Sequence, residues 1–371
     1  MIKQEPQTPP PGRRLVRRRR VPAIACVPAI ACGLLACELL SGCGAAGAAA
    51  GTGAQGGQAG SITLYSGQHE QTTDGLVTAF EQQTGIKVSV RNDDEDTLAN
   101  LIAVQGSHTP ADVFFTENSP PLEFLQEKGL LSKVTPGTLA HTPAKYDSPA
   151  GDWVGVSARV SVIVYNPSLI ARDQLPTGVM QLADPKYRGQ LGIAPSETDF
   201  QPIVTSVIRT YGRAAALTWL EKVKSNGASH TFPDNETLVS EVNRGQVAFG
   251  VINEYYWYRL KAEIGASAMH SQITYFAPRD PGYVIDVSGA AVLKYSQHQA
   301  AAQKFLAFLV SPAGQQIIAH TDSYEFPLRA GVAAHPGLPP LSSLHPDAGD
   351  TITRLGDGSE ALQLLQQAQL G

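Results

Sequence analysis

Asn253, Glu254, Tyr255, Tyr256, Trp257 and Tyr258 follow one another directly after an apolar run at 247–252. A phenolate oxygen is a hard anionic donor that suits a hard trivalent cation, as tyrosinate suits the iron of catalase haem. An ion of high charge can also keep a phenol deprotonated far below its free pKa of ~10. Successive side chains on a helix diverge by ~100°, so two adjacent tyrosines face one point only at an irregular strand-to-helix junction. The pattern places Tyr255 and Tyr256 at such a junction. Aromatics here would equally cover a core edge or an interface, and residue type alone leaves both roles open.

Other reactive arrangements fail on spacing. His69-Glu70 opens the string HEQTT, but a zinc-protease helix needs a second histidine where Thr73 stands. There is no GxxxxGK[ST] phosphate loop and no GxSxG nucleophile elbow. A literal GxGxxG, GTGAQG at 51–56, follows a Gly/Ala tract and precedes a strand, the reverse of the dinucleotide-binding order. No enzyme activity is expected. All four cysteines, Cys26, Cys32, Cys37 and Cys43, lie within the first 43 residues, so the remainder has neither a disulfide nor a thiolate metal site.

The chain has 371 residues, 43% hydrophobic and 16% charged, with a formal net charge of −5. That length suggests about two domains, and the apolar content excludes disorder for most of the chain. Arg13, Arg14 and the arginines at 17–20 precede a small, apolar stretch at 21–40 that contains the repeat VPAIAC-VPAIAC. This order reads as a secretory signal. Pro22, Pro28 and Glu38 interrupt it, whereas a permanent span wants about 20 nearly unbroken apolar residues. Leu40-Ser41-Gly42-Cys43 resembles the lipobox of bacterial lipoproteins, which implies a signal at 1–43 and a lipid-modified Cys43 as the mature N-terminus. Residues 44–60 read as a flexible Gly/Ala tether. Removing 1–43 takes away seven of 28 Lys+Arg and two of 33 Asp+Glu, leaving a net charge of −10. An acidic body is suited to handling cations and not to binding nucleic acid.

The elements that must carry the candidate residues alternate. Strands are expected at 62–65, 86–90, 112–115, 159–165, 190–194, 247–252, 273–276 and 285–293. Helices are expected at about 74–83, around 98–102, 120–129, 200–211, 213–224 (ended by Gly227 as a C′ residue), 255–263 (closing at Gly265), 297–310, 312–320 and 360–369. This is the rhythm of α/β architecture with a mostly parallel sheet. Two lobes are the simplest solution, and the crevice between them is the expected ligand site.

Several strings then carry a resemblance: ITLYSGQH at 62–69, PADVFFTEN at 110–118, YRGQLGIAP at 187–195, INEYYW at 252–257, RDPG at 279–282, SGAAVLK at 288–294 and YEFPL at 324–328. Over roughly 61–371 the chain resembles the ferric-ion-binding proteins of bacterial iron ABC transporters, within the family 1 extracellular solute-binding proteins. The resemblance implies a two-lobed periplasmic-binding-protein fold of type II, with the ligand cleft between lobes joined by crossover strands. The lobes would be 61–158 with about 286–336, and about 159–285 with 337–371. Hinges would lie near 159–165 and 285–288.

The resemblance makes His69 an imidazole ligand, Glu117 a carboxylate ligand, and Tyr255 and Tyr256 phenolate ligands of Fe(III), with open positions for an anion or water. Read singly, His69 could cap a helix start and Glu117 could be an ordinary loop carboxylate. Asn235 and Asn253 match anion-contacting asparagines of the family. The loop that would cradle phosphate is Pro195-Ser196-Glu197-Thr198-Asp199-Phe200, whose two carboxylates would repel an anion. Phosphate binding is therefore expected to be weak, with water, carbonate or a carboxylate of this loop completing the shell. The expected partners are an ABC permease and its ATPase, with membrane attachment through the lipid and a monomeric chain. The rivals are a receptor for a small anion, sugar or metal chelate, and a metal-dependent hydrolase using His69 and Glu117.

Overall fold

A computed structural model describes residues 60–346 and 352–371. The proposed signal and lipidated Cys43, and all of the tether except residue 60, lie outside the described residues. In the first half, β1 (Ser61–Ser66), α1 (Glu70–Thr84), β2 (Lys87–Asn92), α2 (Glu95–Gln105), β3 (Val113–Phe115), α3 (Pro120–Glu127) and α4 (Pro136–Leu139) lead into the long strand β4 (Val154–Tyr165). Next come β5 (Leu191–Gly192), α5 (Phe200–Tyr211), α6 (Arg213–Gly227), α7 (Asn235–Asn243), β6 (Phe249–Asn253), α8 (Glu254–Ile264) and β7 (Gln272–Thr274). The chain then returns through β8 (Ile285–Val292), α9 (Gln299–Leu309), α10 (Pro312–His320) and β9 (Phe326–Pro327), and finishes with α11 (Ile352–Leu355) and α12 (Ser359–Gln367). Among the described residues no helix is long and apolar enough to cross a membrane.

The strand order is β2-β1-β3-β8-β4-β6-β5, with β7 and β9 also paired to β4. The sheet is mixed, where a mostly parallel one was expected. β1 runs parallel to β2 and β3, and β5 parallel to β6, but β8 and β4 are antiparallel to their neighbours. The reason is connectivity: β4 and β8 are crossing strands that pass between the two halves instead of being laid down by a helical crossover.

All twelve positions of β4 are buried, consistent with its run of β-branched residues. It starts five residues before the expected 159, because Gly155 and Ser157 interrupt the apolar signal while the register merely shifts between them. Residues 154–160 pair with β8, whereas 161–165 pair with β6 and β7. One half packs around Phe80, with the Phe305 ring 5.0 Å away edge-on. The other packs around Trp219, which stacks on Phe200 at 6.2 Å and donates its indole N–H to the Val179 carbonyl at 2.9 Å.

Besides the one-turn helices α4 and α11, which were not expected, two helix details depart from expectation. Gly227 does not stop α6 in a left-handed turn; it is the last helical residue, followed by Ala228 in right-handed conformation. Its role is room, since a Cβ there would lie 2.9 Å from the Ile193 side chain. Helix α7 was not anticipated, although Asp234 caps it by accepting from the Thr237 amide at 2.7 Å. Gly265, as expected, closes α8 at φ 82°.

Candidate metal centre

Three junctions carry the candidate donors. His69 takes the backbone position of an N-cap for α1 but makes no capping bond with its ring. The ring is therefore free for other use. Its loop is fastened by Gln68, whose Oε1 accepts from the His69 amide at 2.8 Å and whose Nε2 donates to Ser288 on β8 at 2.9 Å. Glu117 follows β3. Tyr255 and Tyr256 are the second and third residues of α8, immediately after β6, with 0% and 3% exposure. Their ring centroids are 4.2 Å apart and tilted by 38°.

These side chains, from both halves of the fold, meet. His69 Nε2 lies 2.7 Å from Glu117 Oε1, yet it is buried and has no aligned hydrogen-bond partner. The contact is a close imidazole–carboxylate pair. The Tyr255 hydroxyl is 2.7 Å from the same Glu117 oxygen and 2.9 Å from Asp199 Oδ2. One hydroxyl proton can serve only one of two carboxylates at a time. The His69 ring packs edge-on against Tyr255 at 5.2 Å and Tyr256 at 6.5 Å.

Electrostatics follow from that crowding. Burial would raise the Glu117 carboxyl, but His69, Arg159 and the Tyr255 hydroxyl together hold it well below the usual carboxylate range. Asp199 is pushed up to about 6 by burial and by Glu117. Burial, then Asp199 and Glu117, push the Tyr255 and Tyr256 phenols well above their ordinary range. Without a cation, the tyrosines stay protonated. Arg159, fully buried, stands 5.7 Å from the Tyr255 ring centroid and Arg259 5.0 Å. A cavity of about 400 Å³, lined in part by Gln68, His69, Gln71, Glu236 and Arg259, opens the site to solvent. Among the described residues no group of three His, Cys, Asp or Glu side chains is placed to hold a metal, so an ion here would depend on phenol oxygens.

The other sequence candidates separate. Asn235 Nδ2 reaches Asp199 Oδ2 at 3.4 Å, and Thr198 Oγ1 lies 3.3 Å from Asn118 Nδ2. Glu197 is half-buried at the rim, where burial and then Asp199 push it up to about 8. Asn253 is buried at the N-cap of α8, without a capping bond. Ser196 is exposed and donates away from the site, to the Pro233 carbonyl at 3.3 Å.

Asp199 is one of the two loop carboxylates offered to complete the shell, with nothing in the sequence to choose it over Glu197. Sequence reasoning did not single out three residues that shape the centre. Glu95 accepts from the Glu117 amide, the Asn118 amide and Asn118 Nδ2 at 2.7, 2.9 and 2.8 Å. Arg159 donates to Asn118 Oδ1 at 3.1 Å and forms a buried ion pair with Glu325. A charge inside an otherwise β-branched strand was the available signal for Arg159.

A family model described as bacterial extracellular solute-binding protein matches residues 62–321. The chain belongs to that family: it is a solute receptor, not an enzyme. Its sequence is 35% identical over 309 residues to the Fe(3+)-binding periplasmic protein of Serratia marcescens, covering 83% of this chain and 90% of that one. It is likewise 35% identical to the major ferric iron-binding protein of a Neisseria meningitidis serogroup B strain, covering 83% and 92%. Among solved structures, iron-bound HitA from Pseudomonas aeruginosa superposes with a TM-score of 0.79 at 40% identity, covering 83% of this chain and 99% of that one. That solved structure shares its two-lobed α/β architecture.

Proposed function

We propose that this chain is a lipid-anchored extracytoplasmic receptor that captures Fe(III) between its lobes and delivers it to an ABC importer. The carrying observation is the convergence of His69 and Tyr255 on one Glu117 carboxylate oxygen at 2.7 Å, with the Tyr256 ring tilted against Tyr255 at 4.2 Å. Two phenolates, a carboxylate and an imidazole are hard or borderline donors suited to Fe(III). The similarity to ferric iron-binding proteins of Serratia and Neisseria supports the same cargo. The lobes are taken as 61–158 with about 286–336 and about 159–285 with 337–371, in keeping with the pairing of β4 first with β8 and then with β6. The ion would favour the closed state because it bridges donors from both lobes. The lipobox supports anchoring through Cys43. Delivery would be made by a monomer to a permease pair fuelled by its ATPase.

Protein loaded with ferric nitrilotriacetate should show the broad visible band of an iron–phenolate centre. Colourless protein that takes up no iron overturns the reading and favours a receptor for another solute.

The anion question has a specific answer within this reading. The Asp199 carboxylate, 2.9 Å from the Tyr255 hydroxyl and 3.4 Å from Asn235, takes the place of an external anion. Iron affinity should then be the same with and without phosphate. Asp199→Ala should lose about 10–100-fold in affinity, the scale of a lost supporting group at a metal site, and regain part of it in millimolar phosphate. Strong phosphate dependence of the unaltered protein would overturn this assignment.

A further inference from the structure

Glu95 is the first residue of α2, 3% exposed, and belongs to no sequence motif identified above. Its carboxylate receives three N–H donors, all from Glu117 and Asn118, over 2.7–2.9 Å. On its other side it presses against the loop that carries His69. A Cβ added to Gly67 would lie 2.4 Å from Glu95 Cβ and 2.8 Å from Glu95 Cα. Gly67 does not have a positive φ, so space and not backbone conformation requires glycine there. The Gly67 amide meanwhile donates to the Phe115 carbonyl at 2.8 Å, two residues before Glu117. The two donor-bearing loops of the first half therefore meet around one buried side chain. Asn118 extends the connection, receiving Arg159 Nη1 at 3.1 Å and approaching Asp199 Oδ1 at 3.4 Å.

We propose that Glu95 is a positioning residue: it sets the separation of His69 from Glu117 and so fixes the imidazole–carboxylate half of the iron site. It touches neither the ion nor its direct donors' side chains, and acts by holding the Glu117 backbone while Gly67 lets it seat against the His69 loop. This inference rests on the iron reading above. The bland alternative is a buried carboxylate that only satisfies loop amides, which would affect stability and nothing else.

Two variants perturb the same contact from opposite sides: Glu95→Ala removes the acceptor, and Gly67→Ala forces α2 away. In each, ferric-loaded protein should keep its colour, because the phenols sit on the other half. The phenolate-to-iron band should move to longer wavelength, since a less firmly held Glu117 donates less charge and leaves the iron a stronger acceptor. Transfer of iron to excess EDTA should be about 10–100-fold faster, the range for outer-shell partners of metal ligands. Glu95→Gln, which keeps one acceptor oxygen, should fall between. Hydrogen exchange of the Glu117 and Asn118 amides gives a readout free of metal, and it should rise in Glu95→Ala. Folded variants with an unchanged band and transfer rate overturn the proposal. If the unaltered protein itself takes up no iron, the iron reading fails, and amide exchange alone decides whether Glu95 holds the loop; unchanged exchange then overturns it.

Discussion

The double variant Tyr255→Phe, Tyr256→Phe is expected to fold, to stay colourless in ferric nitrilotriacetate, and to lose more than about 1,000-fold in iron affinity. Outer-shell partners are each worth about 10–100-fold at metal sites, and here two proposed direct donors are removed together. The fold should survive because both rings remain and only hydroxyls leave a site already crowded with acceptors. Glu117 and Asp199 stand 2.7 and 2.9 Å from the Tyr255 oxygen, and without that hydroxyl they can share a proton or admit water. The same chemistry gives a pH dependence of definite sign. Both phenols lie well above their ordinary pKa in the metal-free protein, so iron must displace their protons. Lowering the pH strengthens that competition, and affinity falls. Asp199, at about 6, adds a further proton to displace as the pH drops below that value. Proton release on loading in weak buffer measures the number. A visible band that persists in the double variant would remove the tyrosines from the site.

Glu325→Ala is expected to be the most destabilising single change in the polar interior, at about 3–5 kcal/mol, the cost of removing one partner of a buried ion pair. Arg159 and Glu325 are both 0% exposed. The Glu325 carboxylate also accepts from Ser157 Oγ at 2.7 Å and from Gln68 Nε2 at 3.3 Å. Deleting it leaves the guanidinium charged in a dry interior, with the Asn118 side-chain oxygen as a hydrogen-bond acceptor at 3.1 Å. For a protein whose whole stability is of order 5–15 kcal/mol, such a loss should be plain in the urea midpoint. Arg159→Met with Glu325→Leu, which removes both charges, should recover much of it. A single variant that loses under about 1 kcal/mol would mean that water reaches the pair.

The expected element types agree with those observed where the hydrophobic signal was local. Strand β4 reads directly from its β-branched run, and α5 from its apolar face at 200–211. Helix α7 escaped because its string NETLVSEVN has only three apolar residues, and Asp234 as its cap lies next to a proline. Gly227 misled because glycine serves both as a left-handed stop and as a gap-maker, and only the neighbouring Ile193 tells which. For the site, residue chemistry singled out the paired tyrosines, whereas His69 and Glu117 depended on family resemblance. The Tyr255–Glu117 contact joins residues 138 apart in sequence and the Tyr255–Asp199 contact residues 56 apart, and no periodicity encodes such a meeting. Glu95 was hidden for a related reason: two of its three partners are backbone amides, which every sequence supplies.

Strand β4 passes from one half of the sheet to the other without leaving the interior, with β8 antiparallel beside it along 154–160. At the changeover the Val160 amide donates to Glu254 Oε2 at 2.7 Å, on the residue immediately before Tyr255. Two laddered strands cannot slide along each other without breaking their register. They can flex out of plane, as a strip does. A joint built this way would have one soft axis, and the Val160–Glu254 bond ties the phenol-bearing helix beside it. Under the iron reading, donors on the two halves would separate along a single arc instead of peeling away one by one, and the residence time of a bound ion would follow the swing of this joint.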